Sequence, residues 1–337
     1  MADSAGVRFE TKMMIDGALV DGQAGGTFTN IDPATEEILG EVADASKADM
    51  RRAIDAARRA FDQTDWSTDH AFRQRCLLQL QEALESEREE LREELILEVG
   101  CPRAITHGPQ LDAPLADGLR YPAKLIDEYP WETSLGDTVV SVTGGVNTTR
   151  KVWREPVGVV GAIVPWNFPF EVAIHKIGQA LATGNTVVLK PAPDTPYNAT
   201  RLGRLIAENT DIPAGVVNVV TASDHLVGEE LTLSPKVDLI SFTGSTVVGQ
   251  RIMEKGAATM KRLFLELGGK KSATIVLEDA DFALGCMMGI APCMHAGQGC
   301  ANPPDCCCRA PATTRAWKSC AASMRVSPRA TRRTQAR

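Results

Sequence analysis

No stretch of this 337-residue sequence approaches the ~18 uninterrupted apolar residues that a membrane-crossing helix needs. The opening MADSAGVRFE has neither a basic start nor an apolar core, so it does not read as a secretory leader. Excess positive charge is missing too: the net charge of -7 gives no basis for a nucleic-acid or anionic-membrane partner. No C-x-x-C pair occurs among Cys76, Cys101, Cys286, Cys293 and Cys300. The adjacent Cys306, Cys307 and Cys308 lack the C-x₂₋₄-C spacing of a structural zinc site, so no metal is expected. There is no internal repeat, no Walker A loop and no G-x-G-x-x-G. A cytoplasmic protein with reduced thiols is the simplest expectation.

What is present is ordinary globular material, 44% hydrophobic and 23% charged, in a chain long enough for two domains. KMMIDGALVDG, with two apolar bursts around Asp16-Gly17, reads as a hairpin. Lys47 to Phe61 has helical period, with Met50, Ile54, Ala57 and Phe61 on one side. A second long amphipathic helix runs toward Gly100, and the texture turns to strand between Gly136 and Val157. From there VGVVGAIVPW, NTVVLKPA, GVVNVVTA and VDLISFTG alternate with helical stretches. Strands and helices alternating in this way call for a parallel sheet covered on both faces, with ligands at the carboxyl ends of its strands.

Five candidate features stand out, the first three at such ends. Pro165-Trp166-Asn167-Phe168-Pro169 holds Asn167 on a stiff turn, either as a helix cap or as a preorganised N–H donor for an oxyanion. Thr243-Gly244-Ser245-Thr246-Val247-Val248-Gly249 is either an ordinary Ser245 cap or a phosphate seat at a helix N-terminus. Lys190 leaves its strand just before Pro191, where it can be a solvated lysine or can reach a ribose or phosphate. Glu266 in LELGGK is either a solvent-facing residue on a half-buried strand or a buried base with a raised pKa. Cys300 follows Gly297-Gln298-Gly299; a lone cysteine is usually a small core residue, but flanking glycines allow close approach of a substrate.

In this order PWNFP, FTGSTVVG, LELGGK and GQGC make the chain, from about residue 10 to Pro303, resemble the aldehyde dehydrogenase superfamily. The resemblance implies an α/β, Rossmann-like parallel-sheet cofactor domain (residues 1–133 and 156–265). It also implies an oligomerisation β-arm at 134–155 and the start of an incomplete α/β catalytic domain at 266–303. The implied activity is oxidation of a small-molecule aldehyde to a carboxylic acid with NAD(P)+ through a cysteine thioester. Cys300 would be nucleophile, Glu266 base and Asn167 oxyanion amide; Ile163, Val164, Pro165, Trp166, Lys190, Gly244, Ser245, Thr246, Gly249 and Leu267 would line the cofactor site. Pro193 stands where many NAD-preferring members carry a ribose-binding glutamate, so NAD is expected and NADP is not excluded. The family assembles as homo-oligomers. The alternative is a catalytically inactive, cofactor-binding remnant of such an enzyme.

After Pro303 the pattern changes. From Ala301 onward there are eight basic residues and one acidic, against 28 basic and 42 acidic before. Back-translated with GC-rich codons and read one nucleotide earlier, Cys306 to Arg315 becomes Leu-Leu-Leu-Pro-Arg-Ser-Arg-Tyr-Asp-Glu, which suits the family better. The expectation is therefore an aberrant, frame-shifted tail over 304–337, disordered for want of large apolar residues. Cofactor binding weaker than in an intact relative and turnover near background are expected of the chain as it stands, because Cys300 lies at the edge of the family-like sequence.

Overall fold

The computed structural model describes residues 7–140, 144–269, 273–277, 279–281, 284–285, 287, 291–301 and 305–308. The hairpin β1 (Met13–Ile15) and β2 (Ala18–Val20) comes first, then the pair β3 (Thr27–Ile31) and β4 (Ile38–Ala43). Six helices follow: α1 (Lys47–Gln63), α2 (His70–Ser86), α3 (Arg88–Val99), α4 (Arg103–Thr106), α5 (Asp112–Asp117) and α6 (Arg120–Glu128). A ribbon of β5 (Glu132–Val140) and β6 (Val146–Trp153) leads into the alternating part. This comprises β7 (Val159–Ile163), α7 (Pro169–Ala182), β8 (Thr186–Lys190), α8 (Tyr197–Asn209) and β9 (Val217–Val219). It continues through α9 (His225–Leu233), β10 (Leu239–Gly244), α10 (Thr246–Gly256) and β11 (Arg262–Leu267). Beyond it lie β12 (Ala273–Val276) and β13 (Asp305–Cys308).

The expected α/β architecture is present. Seven strands form one sheet in the order β11-β10-β7-β8-β9-β1-β2. The five from β11 to β9 are parallel, and the β1–β2 hairpin closes the far edge antiparallel. That hairpin turns through Asp16 (φ 55°) and Gly17 (φ 76°), the two positive φ values that a tight two-residue connection demands. Side chains alternate between two cores. Val160, Ala162, Val187, Leu189 and Val217 pack beneath α2, α6, α7 and α8, whereas Val159, Val188, Ile240 and Phe242 pack beneath α1, α9 and α10.

Helix ends explain several boundaries. Ser46 and Asp49 form a reciprocal capping box at the start of α1. The long amphipathic run breaks into α2 and α3 at Glu87, and Gly100 (φ 75°) closes it. Charges on α3 that a sequence would place in solvent are buried here. Glu98 accepts the backbone N–H groups of Tyr197 (2.9 Å) and Asn198 (3.1 Å) and so caps α8 from outside. Glu94 pairs with Arg201 at 3.0 Å.

The expectation of a tail without structure from 304 onward is corrected at four residues. Asp305–Cys308 form a strand parallel to β12, with Ala273 opposite Asp305 and Val276 opposite Cys308. Strand β12 offers backbone groups for pairing, and cysteine is a small apolar residue that a strand accommodates. Residues 309–337 lie outside the described residues.

Candidate active site

Register gathers the candidate residues at one end of the sheet. Ile163 is level with Lys190 and with Phe242, and Gly244 is level with Leu267. The Val164 N–H extends the ladder to the Lys190 carbonyl at 3.2 Å, and Pro165 and Trp166 then leave the strand, Trp166 with 44% of its surface exposed. At this end, on the α9–α10 side, opens a cleft of about 200 Å³ whose walls include Ile163, Phe242, Gly228, Val248, Ile252 and Lys190.

Lys190 is no solvated surface residue: 7% of it is exposed. Burial pushes its pKa down to about 8, against the partial support of Asp194, Asp44 and Asp224. Among the described residues it forms no salt bridge or side-chain hydrogen bond, so a buried ammonium faces the cleft without a close partner. Such a group fits a ligand that offers hydroxyl or anionic oxygens. At the start of α10 the Ser245 hydroxyl accepts the Val248 N–H at 3.4 Å, a long bond, while Thr246 and Val247 are exposed. The positive end of this helix is thus open at the carboxyl end of β10. Gly249 lies close under Leu267: a Cβ there would stand 2.7 Å from the leucine Cδ2. An apolar slot, a buried cation and an open helix N-terminus suit a dinucleotide.

Asn167 does not cap α7, whose N-cap is Phe168 and lacks a side-chain bond. Its Nδ2 instead donates to the Gln298 carbonyl at 2.5 Å, tying the turn to the loop that ends in Cys300. Cys300 is a free, exposed thiol.

Glu266 follows the solvent-facing alternative rather than the buried one. Strand β11 alternates exposed and half-buried positions, and Arg262, Phe264 and Glu266 share the exposed face. Among the described residues no hydrogen bond joins Glu266 to the cysteine loop. Its neighbour is a residue that sequence reasoning missed, Lys176 on α7. Burial pushes the Lys176 pKa down to about 8, and the charge of Glu266 holds it up in part. The ammonium donates to Ser241 Oγ at 2.8 Å and lies 5.5 Å from the centre of the Phe264 ring. Two further residues went unread: Gln110, which belongs to no motif, and His295, which stands in the quoted HAGQGC without a role. Both are buried against Asn167. Among the described residues no group of three His, Cys, Asp or Glu could hold a metal. Nor is any described helix long and apolar enough to cross a membrane.

The described residues thus form a parallel α/β sheet with a cleft at one end of its strands and a cysteine loop tied to a strand exit. The chain belongs to the aldehyde dehydrogenase family, whose model matches residues 19–329 and so runs past Pro303. Among its relatives, an aldehyde dehydrogenase of Enchytraeus buchholzi is 42% identical over 275 residues, 80% of this chain and 53% of that protein. The NADP/NAD-dependent aldehyde dehydrogenase PuuC of Escherichia coli is 38% identical over 273 residues, 80% of this chain and 53% of that one. Among solved structures, aldehyde dehydrogenase C of Pseudomonas syringae with NAD+ and octanal superposes with a TM-score of 0.84 at 30% identity. That match covers 94% of this chain and 62% of the other. The chain thus spans about half the length of the curated relatives it matches.

Proposed function

We propose that this chain carries the site of an NAD(P)+-dependent oxidation of an aldehyde to a carboxylic acid. The observation that carries the reading is the bond from Asn167 Nδ2 to the loop of Cys300, at the same sheet end as the Lys190 cleft. The thiolate of Cys300 attacks the aldehyde carbonyl and forms a thiohemiacetal. An amide nitrogen has two N–H groups, and one of those of Asn167 already holds Gln298; the second, with the Cys300 backbone N–H, stabilises the developing oxyanion. The cleft walls, Lys190 and the start of α10 would hold NAD(P)+, which would supply the hydride acceptor. Glu266, beside Lys176, then takes a proton from water as it attacks the Cys300 thioester.

The NAD+ held by the Pseudomonas enzyme and the dual cofactor named for PuuC support NAD with NADP tolerated. We assign residues 1–133 and 156–265 to cofactor binding and 266–303 to the start of a catalytic unit. The β5–β6 ribbon exposes Leu135, Val139, Val146 and Trp153, which supports its reading as an oligomerisation arm for copies of this chain.

Purified chain, an aldehyde panel and NAD+ or NADP+ test the reading through the appearance of the reduced cofactor. Reduction that depends on aldehyde and is lost in C300A is the expected result. E266Q should lower the steady-state rate by about 10²–10⁴-fold, the contribution of a general base, while leaving Cys300 open to alkylation. Cofactor reduction that survives C300A would overturn the assignment.

A further inference from the structure

We propose that Gln110 and His295 are positioning residues that lock Asn167 and the cysteine loop into one unit. The proposal rests on the functional reading of Asn167 and Cys300, but not on turnover. Gln110 lies between α4 and α5 and is fully buried; His295 is 185 residues away and 3% exposed. Their side chains converge on a single atom, the backbone oxygen of Asn167. Gln110 Nε2 donates to it at 2.7 Å, and His295 Nε2 stands 2.9 Å from it. The two nitrogens are 3.2 Å apart, so both could not point at each other and still serve the carbonyl. A carbonyl oxygen has two lone pairs, enough for both donors. This assigns the proton of a neutral His295 to Nε2, in line with the burial that pushes its pKa below the ordinary value.

The bonds close a circuit. The His295 ring holds the Asn167 carbonyl, and the Gln298 backbone N–H and side-chain amide each hold the His295 carbonyl at 3.1 Å. The Asn167 amide holds the Gln298 carbonyl, two residues before the thiol. Phe168 covers the histidine ring edge-on at 5.1 Å between centroids. This circuit bears on a strained stretch. His295 and Ala296 both sit at φ 53°, followed by Gly297 at 77°. Left-handed backbone at a residue with a Cβ is unfavourable and persists only where the surroundings impose it. The site also tolerates buried atoms without a partner, Gln110 Oε1 and His295 Nδ1. Such orphans are disfavoured in a core built for stability alone. A residue that merely filled space would not need either amide or imidazole.

The test uses the full chain and three variants. Gln110→Met keeps the shape without a donor, His295→Leu removes the ring N–H, and His295→Gln puts an amide N–H near the place of Nε2. Hydrogen exchange of the 295–300 peptide and the iodoacetamide rate at Cys300, both resolved by peptide mass spectrometry, report the loop; exchange across β7 to β9 reports the fold. Q110M and H295L should speed loop exchange by about tenfold, the scale of one lost hydrogen bond, and change the Cys300 alkylation rate, with the sheet unaltered. H295Q should return both readings toward those of the unmodified protein. Unchanged loop exchange and alkylation in folded Q110M or H295L would overturn the proposal. Should H295L not fold, Q110M decides alone. Because no reading uses cofactor reduction, a loss of the clamp and a loss of the dehydrogenase reading are separately visible.

Discussion

Lys190 shows how burial alone can make a side chain pH-responsive. Its folded pKa of about 8 lies below the ordinary lysine value of 10.5. Below about 8 the buried ammonium is retained at a cost; between 8 and 10.5 the unfolded chain binds more protons than the folded one, so this residue's contribution to stability rises with pH. K190M should therefore be more stable than the parent near pH 7.5 and lose most of that advantage by about pH 9.5, as read by urea unfolding. An advantage equal at both pH values would mean that burial of the charge is not its source. At this scale the sequence was legible where a residue sits in a motif at a strand end, as Asn167 and Lys190 do. Lys176, Gln110 and His295 were not, because each acquires its meaning from a partner far along the chain: Glu266 for the first, Asn167 for the other two. Glu266 shows the limit of reading burial from composition, since an apolar run on an edge strand with one open face still leaves its charged residue in solvent.

Among the elements, α7 is the one on which most depends. It begins two residues after Asn167, carries Lys176, and crosses the end of α5 so closely that a Cβ on Gly178 would stand 2.3 Å from the Gly118 carbonyl oxygen. That oxygen is backbone and cannot turn aside. G178A should cost about 1–3 kcal/mol by urea denaturation, the range for overpacking, and should shift α7 with its lysine. Full stability in G178A would show that the α5–α7 contact can yield. Elements of this kind were legible because their periods are clean: β7, β8, β10 and their helices alternate as the apolar pattern implies. The buried charges of α3 were not, since Glu94 and Glu98 look like solvated helix residues until Arg201 and the start of α8 are placed against them.

The described residues are well packed beneath α7 and α8 and leave apolar side chains exposed at and beyond β11. Phe264 is 57% exposed, and Ile275, Leu277 and Met287 are more exposed still. Surface of this kind drives association. The protein should bind a hydrophobic dye and sediment with concentration-dependent mass, and F264E should reduce both; a monomer at all concentrations with no dye binding would contradict this. The alternation of β11 carries a second consequence. Glu266 faces the α7 side with Lys176, while its neighbour Leu267 faces Gly249 of α10 on the cleft side. One strand is therefore a partition wall, with Glu266 hung on one side and Leu267 on the other. Gaining or losing a single residue within 262–267 would exchange the two sides at once, because side chains on a strand alternate. Substitutions can adjust either chamber by itself, but changes in length cannot, so this strand should be the place where the chain least tolerates an insertion.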